Sequence, residues 1–192
     1  MNRDAWAVEE ISRSQARPMI VENHYLHSMP GVVPCALGLF VDDMMQGVLV
    51  WALPPRETSA RYGCETWELA RLWLIDDLPH NSESWFIARG VQHVRRNHPA
   101  VRYLVSYADP AAGHRGTIYR ASNWTYEGMM DAGRKPRWDY YRNGKRIGRA
   151  AHGTYGVVEK RPRPSKHRYS YQLGKTVAVR KTASTARVGV EQ

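Results

Sequence analysis

Residues 67–75 read Trp-Glu-Leu-Ala-Arg-Leu-Trp-Leu-Ile, residues 76–84 Asp-Asp-Leu-Pro-His-Asn-Ser-Glu-Ser, and residues 85–96 Trp-Phe-Ile-Ala-Arg-Gly-Val-Gln-His-Val-Arg-Arg. Asn97-His98-Pro99 follows, and then residues 101–107, Val-Arg-Tyr-Leu-Val-Ser-Tyr. Residues 67–75 predict a strand, and Leu72-Trp73-Leu74-Ile75 is apolar enough for a buried central position. The polar loop after it ends in helix-capping residues. Residues 85–96 predict an amphipathic helix with Ile87, Val91 and Val94 on one face and Arg89, Arg95 and Arg96 elsewhere. Asn97-His98-Pro99 stops that helix, and residues 101–107 are a second buried strand. Such a unit is a right-handed crossover that lays two parallel strands side by side.

Upstream, residues 5–26 predict a helix carrying Ala5, Val8, Ile11, Met19 and Ile20, which Pro18 breaks or bends. Residues 35–41 and 47–53 are strands joined through a turn at Asp42-Asp43, a hairpin ended by Pro54-Pro55. Downstream, residues 113–123 predict a short helix and residues 124–130 a strand. Beyond Gly133 the chain is rich in Lys, Arg, Pro and Gly, with one more strand at residues 167–173. This order predicts an α/β fold: a mixed central sheet, flanking helices and a basic C-terminal extension. Residues 1–173 form one domain, basic from about residue 133, and 174–192 a loose basic tail.

The 192 residues are 43% hydrophobic, which supports a real core and excludes wholesale disorder. No run approaches the roughly 18 apolar residues of a membrane span, and Met1-Asn2-Arg3-Asp4 opens no apolar leader. The expectation is a cytoplasmic protein in a bacterial host cell. Cys35 and Cys64 lack CxxC spacing, so two reduced thiols are expected rather than a disulfide framework or a structural zinc site. Charge is divided unevenly. Residues 1–132 hold 12 basic and 15 acidic side chains, and residues 133–192 hold 16 and 3. Aromatic residues interleave with the basic ones, which a merely solubilising tail would not need. The asymmetry points to a polyanion partner.

The element order resembles the GNAT acyltransferase fold. In that fold the helix after the central strand meets the donor's phosphates with its N-terminus, where free N–H groups and the helix dipole favour an anion. The resemblance implies that Asn81, Ser82 and Ser84 are donor-binding residues. Asn81-Ser82-Glu83-Ser84 replaces the family's glycine-rich signature, and Glu83 adds a negative charge there. That departure argues against ordinary coenzyme A binding. Ile118-Tyr119-Arg120-Ala121-Ser122-Asn123-Trp124 resembles the Leu-Tyr-x-x-x-Gly-Phe pattern of many acetyltransferases, whose tyrosine protonates the leaving group. Tyr119 matches it, whereas Asn123 and Trp124 depart from the pattern's Gly and Phe.

Three further pieces are more specific together: Asn23-His24-Tyr25, Ser106-Tyr107-Ala108-Asp109-Pro110, and Gly116 through Trp124. With Ser165-Lys166-His167-Arg168-Tyr169 they resemble the phage Mom family over most of residues 15–173. That resemblance implies carbamoylmethylation of adenine N6 in double-stranded DNA, which protects phage DNA from restriction. It implies catalytic roles for His24, Tyr25, Asp109 and Tyr119. The chemistry suits them. Adenine N6 is a poor nucleophile, and a carboxylate such as Asp109 at a strand's C-terminal end would orient it and take its proton. His24 is a base, proton shuttle or metal ligand. Tyr25 stacks on a base or donates a hydrogen bond. His24, His27 and Asp109 are a conceivable metal set that spacing does not support, so the metal is unknown. The Asp-Pro pair lacks the following aromatic residue of adenine-N6 methyltransferases, and no glycine-rich S-adenosylmethionine motif accompanies it.

The acetamide group has the atoms of a glycine unit, so glycyl-tRNA is a plausible donor. Acetyl-CoA is the alternative. It would need a separate nitrogen source and oxidation of a methyl carbon, which an iron centre would supply. Arg134, Lys135, Arg137, Lys160, Arg161, Arg163, Lys166 and Arg168 are candidate phosphate contacts. An enzyme acting on N6 flips the base, at a cost of a few kcal/mol. Two alternatives compete: an acetyl-CoA-dependent N-acetyltransferase of a small amine or protein, and a non-catalytic nucleic-acid-binding protein.

Overall fold

The computed structural model describes residues 3, 5–135, 137–147 and 159–174. In chain order the elements are β1 (Trp6–Ile11), α1 (Arg13–Asn23), β2 (Cys35–Val41), β3 (Met44–Ala52), α2 (Arg56–Tyr62), β4 (Thr66–Leu74), α3 (Ser82–Asn97) and β5 (Tyr103–Ala108). A 3-10 turn (Pro110–Ala112), α4 (Thr117–Ala121), β6 (Thr125–Met129), β7 (Trp138–Arg142), β8 (Lys145–Ile147), β9 (Glu159–Pro162) and β10 (His167–Gln172) complete them.

The main sheet has seven strands in the order β1-β2-β3-β4-β5-β10-β6. Among the described residues its one parallel pair is β4 with β5, as the strand–helix–strand reading requires. Along β3 the side chains alternate between two cores. Leu49 and Trp51 face α3 with Phe86, Ile87 and Val91, whereas Val48 and Val50 face α1 with Ala16 and Ile20. The sheet is thus covered on both sides, the mixed α/β arrangement expected.

The β4–β5 pairing ends early. Register runs from Thr66↔Tyr103 to Leu69↔Ser106 and stops there, although β4 continues to Leu74 and β5 to Ala108. The strands part beyond Leu69, and that parting builds the site. It also explains why Leu72 and Trp73 are only half-buried although they open the apolar run 72–75: they wall a cleft.

Several expectations are corrected. Residues 6–11 form strand β1, not the first part of a helix. The i, i+3, i+6 spacing of Ala5, Val8 and Ile11 mimicked a helical face, but Trp6 and Val8 pack toward α3 while Ile11 packs toward α1, a period of two. The helix starts at the Ser12–Gln15 capping box and runs through Pro18 to Asn23. The helix expected over residues 113–123 is only Thr117–Ala121. Helix α2 has a single buried residue, Thr58, and so no apolar periodicity to betray it. Finally, the basic third holds a three-stranded sheet, β8-β7-β9, besides β10. Its hairpin turns at Asn143-Gly144, both at positive φ, a two-residue signal that the surrounding charges obscured. The C-terminal tail from residue 175 lies outside the described residues.

Gly116 caps α4 at φ +72, and a Cβ there would lie 2.4 Å from the ring of the fully buried Tyr169. Gly116→Ala is expected to cost about 3 kcal/mol, from the left-handed backbone and the overpacked ring together. Urea unfolding checks this, and an unchanged midpoint would refute it.

Candidate active site at the split between β4 and β5

Two cavities flank the opened end of β4, each about 410 Å³. Tyr25, Leu69, Ala70, Arg71 and Tyr107 line both and form the wall between them. The first cavity also takes in His24, Asp76, Glu83, His114, Arg115, Gly116 and Tyr119. The second takes in Glu68, Thr58, Arg137, Arg163 and Lys166. Arg137 immediately precedes β7 and Arg163 immediately follows β9, so the small sheet is tethered at the rim of the second cavity.

His24 ends α1 and is buried, and its Nδ1 accepts the Leu26 N–H at 3.1 Å. That bond leaves the neutral ring's proton on Nε2. Burial first, then the charges of Arg71 and nearby histidines, pushes its pKa down to about 4. It stacks on Tyr25 with ring centroids 4.6 Å apart, and Tyr25 meets His114 edge-on at 5.1 Å. Tyr25 is 40% exposed, so its free face is open to a planar ligand. Arg71 donates to the Ser28 carbonyl at 2.7 Å and to the Ala70 carbonyl at 2.7 Å. It satisfies part of the backbone that the split exposes and anchors the loop after α1.

Tyr119 is buried under Trp124 and Tyr169. Its hydroxyl lies 2.7 Å from Ser106 Oγ, which lies 2.8 Å from the Leu69 carbonyl. A carbonyl only accepts. Ser106 therefore donates to Leu69, at the last paired residue of β4, and Tyr119 donates to Ser106. Burial pushes the Tyr119 pKa up to about 12, so it stays a proton donor at neutral pH.

Asp109 follows β5. One oxygen accepts the Ala111 N–H at 3.0 Å and the other pairs with Lys166 Nζ at 2.9 Å. Asp109 is thus both a cap of the 3-10 turn and a member of the site, through Lys166. His24, Tyr25 and Tyr119 line the first cavity together, and Lys166 brings Asp109 to the second. Asn81, Ser82 and Ser84 line neither. Asn81 sits in left-handed conformation, the buried Ser82 hydroxyl donates to the Pro79 carbonyl, and the Ser84 hydroxyl donates to the Asn81 carbonyl at 3.1 Å. Glu83 is the residue of that turn that faces the first cavity.

Of the basic candidates, Arg137 pairs with Asp131, Arg163 with Asp139, Arg168 with Glu127 and Arg161 with Glu159. Lys160 lies over the Trp138 ring and Arg161 over the Tyr141 ring. Arg134 and Lys135 are exposed. His24, His27 and Asp109 do not gather their ligand atoms, and His27 Nδ1 lies 2.9 Å from the Val21 carbonyl.

Glu68 and Arg71 were not among the sequence candidates. Burial raises the Glu68 pKa to about 7, with Arg71 and Lys166 opposing. The signal was available: both interrupt an otherwise apolar strand, where a charge needs a reason.

A central sheet split beside a helix start, with a tyrosine hydroxyl at the split, is the architecture of the GNAT acetyltransferase fold. An aminoglycoside acetyltransferase solved with coenzyme A and kanamycin superposes with TM-score 0.57 at 6% identity, covering 88% of this chain and 95% of that one. A Bacillus subtilis acetyltransferase solved with CoA gives TM-score 0.51 at 8% identity, covering 87% and 97%. The sequence profile of the Mom protein family matches residues 5–187, and the chain belongs to that family. It is 38% identical over 132 residues to the methylcarbamoylase Mom of Escherichia phage Mu, 65% of this chain and 54% of that protein. The chain therefore matches about half the length of that relative. No helix among the described residues is long and apolar enough to cross a membrane.

Proposed function

We propose that the protein is a transferase that converts adenine to N6-carbamoylmethyladenine in double-stranded DNA, and so shields phage DNA from host restriction. The observation that carries this reading is the pair of cavities sharing one wall, the second of them rimmed by Arg137, Arg163 and Lys166 at the foot of the small basic sheet. The second cavity takes a flipped adenine. Tyr25 offers its open face for stacking, and Glu68, with a pKa near 7, takes the N6 proton. Asp109 holds Lys166 at the same rim. The first cavity takes the donor, and Tyr119 protonates its leaving oxygen, its own proton being replenished from solvent after release. Arg134, Lys135, Lys160 and the small sheet position the duplex through phosphates.

Glycyl-tRNA is the donor in this reading. Glu83 and Asp76 line the first cavity, which disfavours a pyrophosphate there and suits an aminoacyl ester better. Attack of N6 on the glycyl carbonyl breaks the ester, giving an amide and a free ribose hydroxyl. The glycyl amine then attacks C6, the original N6 leaves as the amide nitrogen, and the linkage becomes N–CH2–CO–NH2. No atom is gained or lost in that exchange. The fold's likeness to enzymes solved with CoA favours acetyl-CoA as a second reading. His24, His27 and Asp109 do not converge as an iron cage, and no step is routed through iron.

The test is mass spectrometry of nucleosides from DNA of cells expressing the protein and fed 15N-glycine. A deoxyadenosine carrying an added acetamide, with the label on the nitrogen bonded to C6, is expected. A modified base with unlabelled exocyclic nitrogen would refute the glycyl route and leave the transferase. Unmodified deoxyadenosine beside abundant folded protein would refute both.

A further inference from the structure

Far from the cleft, Glu10 on β1, Cys35 on β2, and His93 and His98 at the end of α3 bring one ligand atom each to within 4.8 Å of one another. We propose that these four side chains form a structural Zn(II) site that staples the end of α3 to the first two strands. The donor set is the first reason. One thiol, two imidazoles and one carboxylate are borderline-soft ligands suited to tetrahedral zinc, whose bond lengths of about 2.0–2.3 Å put neighbouring ligand atoms about 3.3–3.6 Å apart. His93 Nε2 is already 3.2 Å from a Glu10 carboxylate oxygen.

The second reason is an orphan. His98 Nε2 is buried without a hydrogen-bond partner, while its ring packs on Trp67 at 4.6 Å and lies 5.9 Å from the His93 ring. A buried imidazole nitrogen wants a partner, and a metal ion would supply one. The backbone is arranged for this. His93 is in the last turns of the helix, and His98 caps it with φ −129 and ψ 63, outside the helical region. That break turns the second imidazole back beside the first despite a five-residue separation.

The third reason is position. Trp6, Val8 and Glu10 alternate onto the α3 face of β1, as Cys35, Leu37 and Leu39 do on β2. Glu10 and Cys35 therefore extend two apolar stripes with metal-binding groups. β1 is also one of the sheet's two edge strands among the described residues and depends on its attachment to β2 and α3. The sequence expectation of no zinc site rested on the lack of CxxC spacing. Ligands drawn from residues 10, 35, 93 and 98 leave no such spacing to read.

Binding releases the Cys35 thiol proton and forms a Zn–S bond, with no change of oxidation state. The experiment uses the full chain, reduced and stripped with a chelator, then titrated with Co(II) chloride and Zn(II) chloride. One Co(II) per chain is expected, with the visible bands of a tetrahedral ion and a near-ultraviolet thiolate charge-transfer band, both abolished by Zn(II). Cys64→Ser, at an exposed thiol, and His24→Gln, in the cleft, leave the signal intact. Cys35→Ser removes the charge-transfer band, and His98→Gln weakens affinity at least about tenfold. Zn(II) raises the thermal midpoint of the unsubstituted chain, and raises that of His98→Gln by less at the same Zn(II) concentration. If Cys35→Ser or His98→Gln fails to fold by circular dichroism, Glu10→Gln, at an exposed position on the strand, carries the test by the same loss of affinity. A folded, reduced chain that binds no tetrahedral Co(II), or a charge-transfer band that survives Cys35→Ser, overturns the site.

Discussion

Glu68→Gln is expected to lower the rate of adenine modification by about 10²–10⁴-fold while leaving the protein folded. Glu68 lines the basic-rimmed cavity, and its pKa near 7 makes it a base that is about half ionised at neutral pH and strong enough to take a proton. Gln keeps the shape and removes the basicity. In the unsubstituted chain, kcat/KM is expected to rise with pH through an inflection near 7 and then level. In Glu68→Gln the activity is low and that inflection is gone. Single-turnover modification of duplex DNA from pH 5.5 to 8.5 reads both effects. A Gln variant with undiminished rate, or with the same inflection, would show that Glu68 does not serve as the base.

Asp109 and Tyr119 should answer differently. Asp109→Asn loses the charge opposite Lys166, 2.9 Å away, and so releases a cation into the second cavity. It is expected to lower the rate by about tenfold or more while keeping the inflection near 7. Tyr119→Phe removes the donor at the split but leaves a ring that fits the same aromatic pocket with Trp124 and Tyr169. Its loss is expected in the chemical step at saturating donor, about 10²-fold or more, rather than in DNA affinity. Equal loss of DNA binding in Tyr119→Phe would remove it from the chemistry.

What was legible in the sequence, and what was not, follows from the range of each signal. The parallel β4–β5 pair and its helix were legible because their apolar pattern is local and long. So were the hairpin strands. Residues 6–11 misled because six residues satisfy a helical and a strand period almost equally well, and only the Ser12 capping box marks where the helix starts. In the site, the residues carried by motif resemblance, His24, Tyr25 and Tyr119, converge on the first cavity. Glu68 and Arg71 belong to no motif. They line a cavity beside the point where β4 and β5 part after Leu69, and no local pattern encodes where two strands stop pairing. The donor-side serines point the other way: a polar run at a helix start looks like a ligand site, yet Ser82 and Ser84 satisfy carbonyls of their own loop.

Two titrating groups of the site should almost conceal each other in the stability of the protein, and separating them is the second large effect. His24 is held neutral, its pKa lowered from 6.5 to about 4. The unfolded chain binds a proton there that the folded one refuses, so this group's contribution is present above pH 6.5 and is lost as pH falls toward 4. Glu68 is raised from 4.5 to about 7. Here the folded chain binds the extra proton, so its contribution is full below pH 4.5 and is lost as pH rises through 7. The windows overlap and the signs oppose. Each shift corresponds to about 3 kcal/mol over its full range, and between pH 7 and pH 5 each tilts the curve by about 2 kcal/mol. His24→Gln leaves Glu68 unopposed, and its stability should rise by about that amount, relative to the unsubstituted chain, on going from pH 7 to pH 5. Glu68→Gln leaves His24 unopposed and should fall by a similar amount. The double variant should run parallel to the unsubstituted chain, because both tilts are removed together. Urea unfolding at the two pH values measures all four curves. Parallel behaviour of the single variants would mean that neither group is perturbed as burial requires, and would take with it the basicity assigned to Glu68 in catalysis.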